Sequence, residues 1–295
     1  MLKYRKYFYI LSGTLITASI FSIALFGLRF GTDFKGGSMM ELSFEGERPS
    51  HEKVQKAFLD FDLGEIIVQD TGERGLILRF REVSATLHEG LLNKLKTLGG
   101  FEEQRFESIG PVIGKEVQHK SFWAMGLVLL MILLYIAWAF RNISYPVRSW
   151  VYSVIALLAL FHDILVTIGI FSLLSYFFPM EVNVPFVAAL LTILGYSVND
   201  TIIIFDRIRE NVLRQGSTFD FGAVIEGSVR QTFVRSLNTS LSVLIALIAL
   251  FIFGGETISS FILALIIGVV AGSYSSLFLA APLLFSWSML KIGKR

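Results

Sequence analysis

Six apolar runs, each long enough to cross a lipid bilayer, dominate the sequence and constrain its fold. A transmembrane helix needs about 20 predominantly apolar residues. Of the 295 residues, 54% are hydrophobic and only 17% are charged, a balance that excludes an ordinary soluble domain of this length. The sequence therefore predicts a polytopic α-helical membrane protein. The six predicted spans cover residues 8–28, 121–140, 150–177, 184–205, 237–253 and 259–289.

The stretch between the first two spans is predicted to fold as a small soluble domain. Met40 and Leu42 alternate with polar residues, which is typical of a half-buried strand. A later helix is predicted to begin at the capping-box pattern of Thr86 and Glu89 and to end at Gly99. The order βαββαβ predicts a ferredoxin-like α+β domain. The predicted division is 1–29 for the N-terminus and first span, 30–120 for the α+β domain, and 121–295 for five further spans.

The positions of Lys and Arg predict the orientation, because cytoplasmic loops carry an excess of both. The two short loops on the opposite side hold only Glu181 and Glu256 as charged residues. Both termini are therefore expected in the cytoplasm and the α+β domain outside, and membrane anchoring explains the basic residues without a nucleic-acid partner. The first run exceeds the apolar core of about 7–15 residues of a signal peptide, so an uncleaved anchor is expected. The basic residues on the predicted cytoplasmic side are Lys3, Arg5, Lys6, Arg141, Arg148, Arg207, Arg209, Arg214, Arg230, Arg235, Lys291, Lys294 and Arg295.

A carboxylate inside the fourth span is the most informative polar residue. Thr192, Tyr196, Asn199 and Asp200 fall at helical spacing and are predicted to share one face. At a rise of 1.5 Å per residue, Asp200 lies about 9 Å deeper in the span than Asp206. An Asp at the centre of a membrane helix costs roughly 2.5–3.5 kcal/mol, so it requires a partner, a water-filled cavity or a proton.

Two other spans carry polar residues that could interact with it. His162 and Asp163 lie near the middle of the third span, and Arg235, Thr239 and Ser242 follow helical spacing in the fifth. These faces are expected to turn inward, and the long side chain of Arg235 could extend to Asp200.

Two interpretations of these residues stay open. In one, they are static pairs that hold helices together. In the other, they form a proton pathway. The second interpretation is favoured because ionisable residues inside membranes generally mark ion or proton pathways. Asp206 and Arg207, at the end of the fourth span, are interpreted instead as a cap and an interfacial anchor.

The residue types present predict a protein that uses no cofactor. The chain contains no cysteine, which excludes disulfides, thiolate metal ligands and a thiol nucleophile. It also lacks a Gly-rich phosphate loop and a His-Glu-x-x-His zinc pattern.

Five motifs resemble, in order, those of SecF members of the SecD/SecF family, which belongs to the resistance-nodulation-division superfamily. The family's fourth-span motif has a Tyr-Ser-Val-Asn-Asp form on the SecF side, as here. Ser236 stands where the family pattern has Thr, and it keeps the hydroxyl. The motifs are Gly31-Thr-Asp-Phe-Lys-Gly-Gly37, Phe161-His-Asp163, Gly195-Tyr-Ser-Val-Asn-Asp-Thr201 with Phe205-Asp-Arg-Ile-Arg-Glu-Asn211, Arg235-Ser-Leu-Asn-Thr-Ser240, and Leu250-Phe-Ile-Phe-Gly-Gly255.

The resemblance implies a non-enzymatic subunit of the protein-export machinery of the bacterial inner membrane. It implies SecD, the SecYEG channel and a translocating unfolded preprotein as partners, with YajC as a further one, and the proton gradient in place of ATP. It makes Asp200 the proton carrier, Arg235 its electrostatic switch, and Asp163 a second relay or a structural support, with His162, Asn199 and Thr239 along the same pathway. It also makes Asp33, Gly36 and Gly37 part of a structural motif.

Three alternatives compete with this interpretation. A related exporter of lipids or small hydrophobic molecules would need an apolar cleft in its outer domain. An intramembrane aspartyl protease would use Asp163 and Asp200 as a catalytic dyad, although the Gly-x-Gly-Asp motif typical of such enzymes is missing before Asp200. A scaffold would use the buried charges only to join helices.

Overall fold

A computed structural model describes residues 1–141, 147–178, 180–215 and 219–292. Lys294 and Arg295, two of the residues behind the orientation prediction, lie outside this described part. The chain divides into two compact units, which we call the membrane unit and the α+β unit. The membrane unit comprises Met1–Leu28, Ala124–Phe178 and Pro185–Arg295, and the α+β unit comprises Arg29–Trp123 and Pro179–Val184.

Six helical segments in the described part of the chain are long and apolar enough to span a membrane, which confirms the predicted number. A 3₁₀ turn at Leu2–Tyr4 precedes the first, and a π-helix at Ser276–Ala280 interrupts the last. The helices are α1 (Arg5–Phe26), α2 (Thr32–Lys35), α3 (His51–Ala57), α4 (Ala85–Lys96), α5 (Pro111–Ala139), α6 (Ser149–Phe177), α7 (Val184–Arg214), α8 (Phe221–Phe253), α9 (Glu256–Ser275) and α10 (Ala281–Ile292).

The α+β unit contains the predicted ferredoxin-like fold. Its four strands pair in the order β2-β3-β1-β4, and all three pairings are antiparallel. Met40 and Leu42 of β1, with Leu78 of β3, are fully buried against Phe58 and Leu91 from the helical side. The alternation that predicted β1 therefore reflects one face turned toward this core. The strands are β1 (Gly37–Phe44), β2 (Ile67–Thr71), β3 (Gly75–Phe80) and β4 (Phe101–Ile109).

The predicted cap of α4 is wrong by two residues. The helix begins at Ala85, and the Ser84 hydroxyl accepts a hydrogen bond of 3.4 Å from the backbone N–H of Leu87. Thr86 lies within the first turn, and its hydroxyl is 3.0 Å from that of Ser84. Ser84 takes the cap because its backbone is still extended, which leaves its side chain free to reach the first turn.

Two membrane helices begin well before the predicted spans. α5 starts at Pro111 rather than residue 121, and α8 starts at Phe221 rather than residue 237. The first half of α8 carries Glu226, Arg230 and Gln231 besides the buried hydroxyls of Ser228 and Thr232, and these polar residues lower its hydropathy without breaking the helix. Hydropathy detects the apolar part of a helix, whereas hydrogen bonding and packing determine its full length.

Within the membrane unit, close contacts between helices depend on small residues. A Cβ atom added at Gly169 of α6 would lie 2.2 Å from Ser19 of α1, and one added at Gly268 of α9 would lie 2.2 Å from Ile193 of α7. Small residues let membrane helices approach closely where lipid offers no hydrophobic driving force. α6 and the last span, Ile258–Leu290, are the most enclosed, followed by α7, whereas α1, α5 and α8 are largely exposed in this chain.

Candidate functional site

Asp163 lies at the centre of a polar cluster in the membrane unit. The side chain is fully buried on α6, and its Oδ1 lies 2.9 Å from Nδ1 of His162. Its Oδ2 accepts hydrogen bonds from Ser197 of α7 at 2.5 Å and from Ser275 of α9 at 2.8 Å. We call Asp163, His162, Ser197 and Ser275 the Asp163 cluster. It joins three helices through one carboxylate.

The surroundings of the Asp163 cluster hold its two hydroxyl donors in place. A Cβ atom added at Gly272 would lie 2.9 Å from Cβ of Ser197, so only glycine lets α9 approach α7 this closely. The π-helix begins at Ser276, directly after Ser275, and Ser276 accepts a hydrogen bond of 3.2 Å from Thr201. Single π turns often occur at functional sites, where the extra residue re-aims neighbouring side chains. The sequence pattern predicted Asp163 and His162 but not Ser197 or Ser275.

Asp200 of α7 has a contrasting environment. The residue is 2% exposed, and its Oδ2 is buried without a hydrogen-bond partner. On the neighbouring helix α8, the Ser236 Oγ is likewise buried without a hydrogen-bond partner, and Arg235 forms no ion pair with any described residue. A buried carboxylate oxygen with no donor is unfavourable unless it binds a proton or gains a partner.

The other predicted pathway residues lie on the outside of this chain. Asn199 of α7 is exposed, and so are Arg235 and Thr239 of α8. The Thr239 hydroxyl donates to the Arg235 carbonyl of its own helix at 2.9 Å. The structure therefore brings Asp163 and His162 together and buries Asp200, but it leaves the predicted face of α8 uncovered.

The buried face of α8 is a neighbouring stripe that the sequence reasoning missed. Ser228, Thr232, Ser236 and Ser240 recur every four residues and are all buried. The Ser240 hydroxyl accepts from Tyr196 of α7 at 3.1 Å. This four-residue repeat of hydroxyl side chains was the sequence signal that could have identified the buried face of α8. It lies one residue away from the stripe of Arg235 and Thr239, which corresponds to a rotation of about 100° around the helix.

Asp206 and Arg207 make only local contacts on α7. Asp206 pairs with Arg209 at 3.4 Å, and Arg207 pairs with Glu210 at 2.7 Å. Both are pairs three residues apart on an exposed helix surface, where such contacts contribute little stability. The helix continues past them to Arg214, so Asp206 marks no end of the helix itself.

The Gly31–Gly37 segment contacts several other segments of the α+β unit. Residue Phe30 forms a parallel bridge with Val182, and the Asp33 carboxylate accepts a hydrogen bond of 2.8 Å from the backbone N–H of Val184. Val184 is the first residue of α7. The segment that follows the first span is thus tied to the start of the helix that carries Asp200.

Gly36 and Gly37 are required by the backbone at this junction. Their φ angles are +79° and +130°, which disfavour any side chain. A Cβ atom at Gly36 would lie 2.7 Å from Cα of Pro111, and one at Gly37 would lie 2.8 Å from the Phe80 carbonyl. The two glycines therefore let β1 begin directly against the start of α5 and the end of β3.

Comparison with known proteins matches both the membrane helices and this junction. The family model "Protein export membrane protein SecD/SecF, C-terminal" matches residues 91–290, and the model "SecD/SecF GG Motif" matches residues 21–47. The chain belongs to the SecD/SecF family. The resemblance seen in the five sequence motifs is thereby confirmed.

Relatives of this family cover the chain from end to end. "Protein translocase subunit SecF" of Thermobaculum terrenum is 43% identical over 100% of this chain and 96% of the relative. The protein of the same name from Sebaldella termitidis is 40% identical over 97% of this chain and 90% of the relative. The crystal structure of SecDF from Thermus thermophilus, a translocon-associated membrane protein, superimposes with a TM-score of 0.83 and 27% identity. The match covers 97% of this chain but spans only 38% of that SecDF chain.

The glycines of the SecD/SecF motif lead to a direct stability prediction. Gly36→Ala should lower the free energy of unfolding by about 1–3 kcal/mol, because it forces a side chain into a positive φ and against Pro111. Gly46→Ala in the same unit is the matched control, since Gly46 has no positive φ and no atom within 4 Å of an added Cβ. That control should change the free energy by about 0.5 kcal/mol or less. Equal destabilisation by the two variants, in thermal unfolding of the purified protein, would contradict the assignment.

An ion pair also links the 180–184 segment to the sheet within the α+β unit. The Arg79 Nε of β3 lies 3.3 Å from the Glu181 carboxylate. Burial raises the pKa of the Glu181 carboxyl, and the charge of Arg79 partly opposes that shift. The pair holds the segment that precedes α7 against β3, and the Asp33 hydrogen bond holds the same segment at Val184.

No metal centre is evident in the part of the chain that the structure describes. Among these residues, no group of three or more His, Asp or Glu side chains is arranged so that it could hold a metal ion.

Proposed function

We propose that this protein is a SecF subunit that acts with SecD to promote polypeptide export across the bacterial inner membrane at the expense of the proton gradient. The observation that carries the proposal is Asp200, a buried carboxylate inside a membrane-spanning helix with no hydrogen-bond partner for its Oδ2. The names of the full-length relatives and the fused SecDF structure support the assignment of the subunit and of its partner.

Asp200 takes up and releases the proton in this proposal. Intramembrane carboxylates characteristically mark proton relays in pumps and transporters. Each charge that crosses the membrane yields about 2.3 kcal/mol per 100 mV, which is enough to bias a conformational equilibrium. The sequence offers no phosphate loop for ATP, so the gradient is the proposed energy source and no cofactor is required.

SecD covers the polar face of α7 and α8 that this chain leaves exposed. Asn199, Arg235 and Thr239 lie on that face, and a charged side chain facing lipid would be costly. A partner that contributes polar groups there completes the proton pathway. Arg235 then acts as the switch, because its charge stabilises the ionised form of Asp200 whenever its side chain swings close.

Asp163 serves chiefly as a structural support in this mechanism. Both of its carboxylate oxygens already have partners, namely His162 on one side and two serine hydroxyls on the other. A satisfied buried network is rigid and fixes the relative positions of the helices that share it. The Asp163 cluster thereby holds α7 in register with α6 and α9 while Asp200 changes its protonation state.

Movement of α7 provides the link between proton transfer and the polypeptide. Its first residue is hydrogen-bonded to Asp33 in the α+β unit, and Glu181, just before it, pairs with Arg79 of the sheet. The chain continues from these contacts of the α+β unit into α7, and this covalent connection is the proposed link to the helix that carries Asp200. This is the route by which we propose that protonation drives the outer unit against a preprotein that emerges from SecYEG, with YajC as an accessory partner.

The orientation follows from the basic residues on one side of the six helices. Both termini then lie in the cytoplasm, and the α+β unit lies on the outer side. The absence of cysteine makes this simple to test, because one introduced cysteine is the only thiol in the chain. A membrane-impermeant thiol reagent added outside intact spheroplasts should label a cysteine in the α+β unit. If that cysteine were protected from the reagent, the opposite orientation would hold.

The geometry does not favour the competing functions. The α+β unit holds a cleft of about 700 Å³, but seven of its 17 lining residues are Lys, Arg, Asp or Glu, unlike the apolar site that a lipid exporter would need. A catalytic dyad would need Asp163 and Asp200 in contact, whereas the hydrogen-bond partners of Asp163 are His162, Ser197 and Ser275. The decisive experiment is to measure gradient-dependent export with Asp200→Asn.

A further inference from the structure

Strand β2 forms an open edge of the sheet in the α+β unit. The strand runs over Ile67–Thr71, and among the described residues it pairs with β3 alone, since it stands first in the order β2-β3-β1-β4. Its outer side therefore presents backbone N–H and C=O groups that the sheet does not use. Such an edge is a ready template for pairing with another extended chain.

The two edges of the sheet are protected to different degrees. Strand β4 carries four charged side chains and a β-bulge at Gln104, because Glu41 pairs with Arg105 and Leu42 pairs with Glu103. Bulges and charged residues are the usual devices that prevent unwanted strand addition. Strand β2 has neither Pro nor Lys nor a bulge, its one charged side chain, Asp70, lies at its C-terminal end and is paired with Arg48 and His51, and Ile67 is 48% exposed. Of the two edges, β2 is the one left available.

A cleft of about 700 Å³ runs beside this edge. Four consecutive residues of β2, 67–70, line it together with the 29–32 segment and with Met180 and Glu181. Its volume falls within the range of about 300–1,000 Å³ that is usual for binding sites. Positive residues outnumber negative ones by four to three in the lining, but Arg79 is already paired with Glu181 and Arg81 with Asp62, so the cleft gives acidic side chains only a small advantage. The positive residues are Arg29, Lys35, Arg79 and Arg81, and the negative ones are Glu65, Asp70 and Glu181.

We propose that the β2 edge binds an extended segment of the translocating polypeptide as an additional strand. The inference rests on the proposed function and names the surface that contacts the substrate. Main-chain hydrogen bonds provide the affinity in strand addition, so recognition is largely independent of the side-chain sequence. An export machine that handles many different unfolded polypeptides requires this kind of recognition. The shortness of β2 keeps the contact reversible, and the small positive excess of the lining adds only a modest preference for acidic segments.

Site-directed cross-linking tests the proposal on the full chain assembled with its partner in membranes. Because the chain has no cysteine, Ile67→Cys places a single thiol on the β2 edge. The matched control is Gln104→Cys, an exposed position on the opposite edge. The probe is a secretory polypeptide arrested in transit with one cysteine inside an extended acidic stretch. Disulfide formation should be several-fold higher at residue 67 than at residue 104, and it should fall when lysines replace the acidic side chains.

Two results would overturn the proposal. One is equal cross-linking at both edges, and the other is a cross-link from residue 67 to the partner subunit in the absence of any polypeptide in transit. Ile67→Lys provides a second measurement, since a lysine on the edge should lower the export rate while Gln104→Lys should not. Failure of the proton mechanism is distinguishable, because Asp200→Asn should lose export yet keep the cross-link at residue 67.

Discussion

Asp200→Asn should abolish the gradient-dependent stage of polypeptide export while the chain still assembles with its partner. Asparagine keeps the size of the side chain and a carbonyl acceptor, but it cannot bind and release a proton at the position where the carboxyl Oδ2 is buried without a partner. A transferred charge is worth about 2.3 kcal/mol per 100 mV, which is a factor of roughly 40 in an equilibrium constant. Loss of the carrier removes that entire contribution.

The same substitution six residues further along the helix is the control. Asp206→Asn makes an identical chemical change on α7, but Asp206 is exposed and pairs with Arg209 on the helix surface. Export should be measured with the gradient intact and after an ionophore has collapsed it. We expect the Asp206 variant to respond to the gradient as the natural protein does, and the Asp200 variant to export at the collapsed-gradient rate in both conditions. Normal gradient-dependent export by the Asp200 variant would leave only a scaffold role.

Asp163→Ala should destabilise the membrane unit more than any other single change in the polar network. It removes the acceptor for Ser197 and Ser275 and the partner of His162, all within a fully buried site. Interhelical hydrogen bonds in membrane proteins average about 0.6 kcal/mol and reach about 1.7, so the two lost interhelical bonds, from Ser197 and Ser275, correspond to roughly 1–3 kcal/mol. The free energy of unfolding of the purified protein in lipid bicelles measures this effect.

Asp163→Asn separates a structural role from a relay role. The amide has the same shape and keeps one acceptor oxygen, so we expect it to lose clearly less stability than the alanine variant and to retain gradient-dependent export. If the asparagine variant were stable but unable to export, Asp163 would act as a proton relay. If the alanine variant were as stable as the natural protein, the cluster would not be what holds α6, α7 and α9 together.

Several features were predictable from the sequence because they depend on local pattern. The number of membrane helices follows from apolar runs of about 20 residues, and the α+β fold follows from the order in which period-two and helical patterns alternate. The burial of Asp163 and Asp200 was also predictable, since each lies inside an otherwise apolar span. Local pattern was less informative about helix ends, as the Ser84 cap and the early start of α8 at Phe221 show.

The glycine motif illustrates a feature that was detectable but not explicable from sequence. Gly36 and Gly37 stood out as a pair, yet nothing in the chain nearby indicates why they are needed. The reason lies in residues far away in sequence, Pro111 and Phe80, whose backbones occupy the space that side chains would take. Contacts of this kind arise only when the folded chain brings the segments together.

By itself, the sequence determined which segments cross the membrane, that two carboxylates lie within them, and which family their motifs resemble. Only the tertiary structure decided how each helix is rotated about its own axis. Arg235 and Thr239 were expected to face inward, but the serine and threonine stripe through Ser236 occupies that position. The physical reason is that helical periodicity specifies the spacing of a face, whereas the contacts with neighbouring helices select which face is buried.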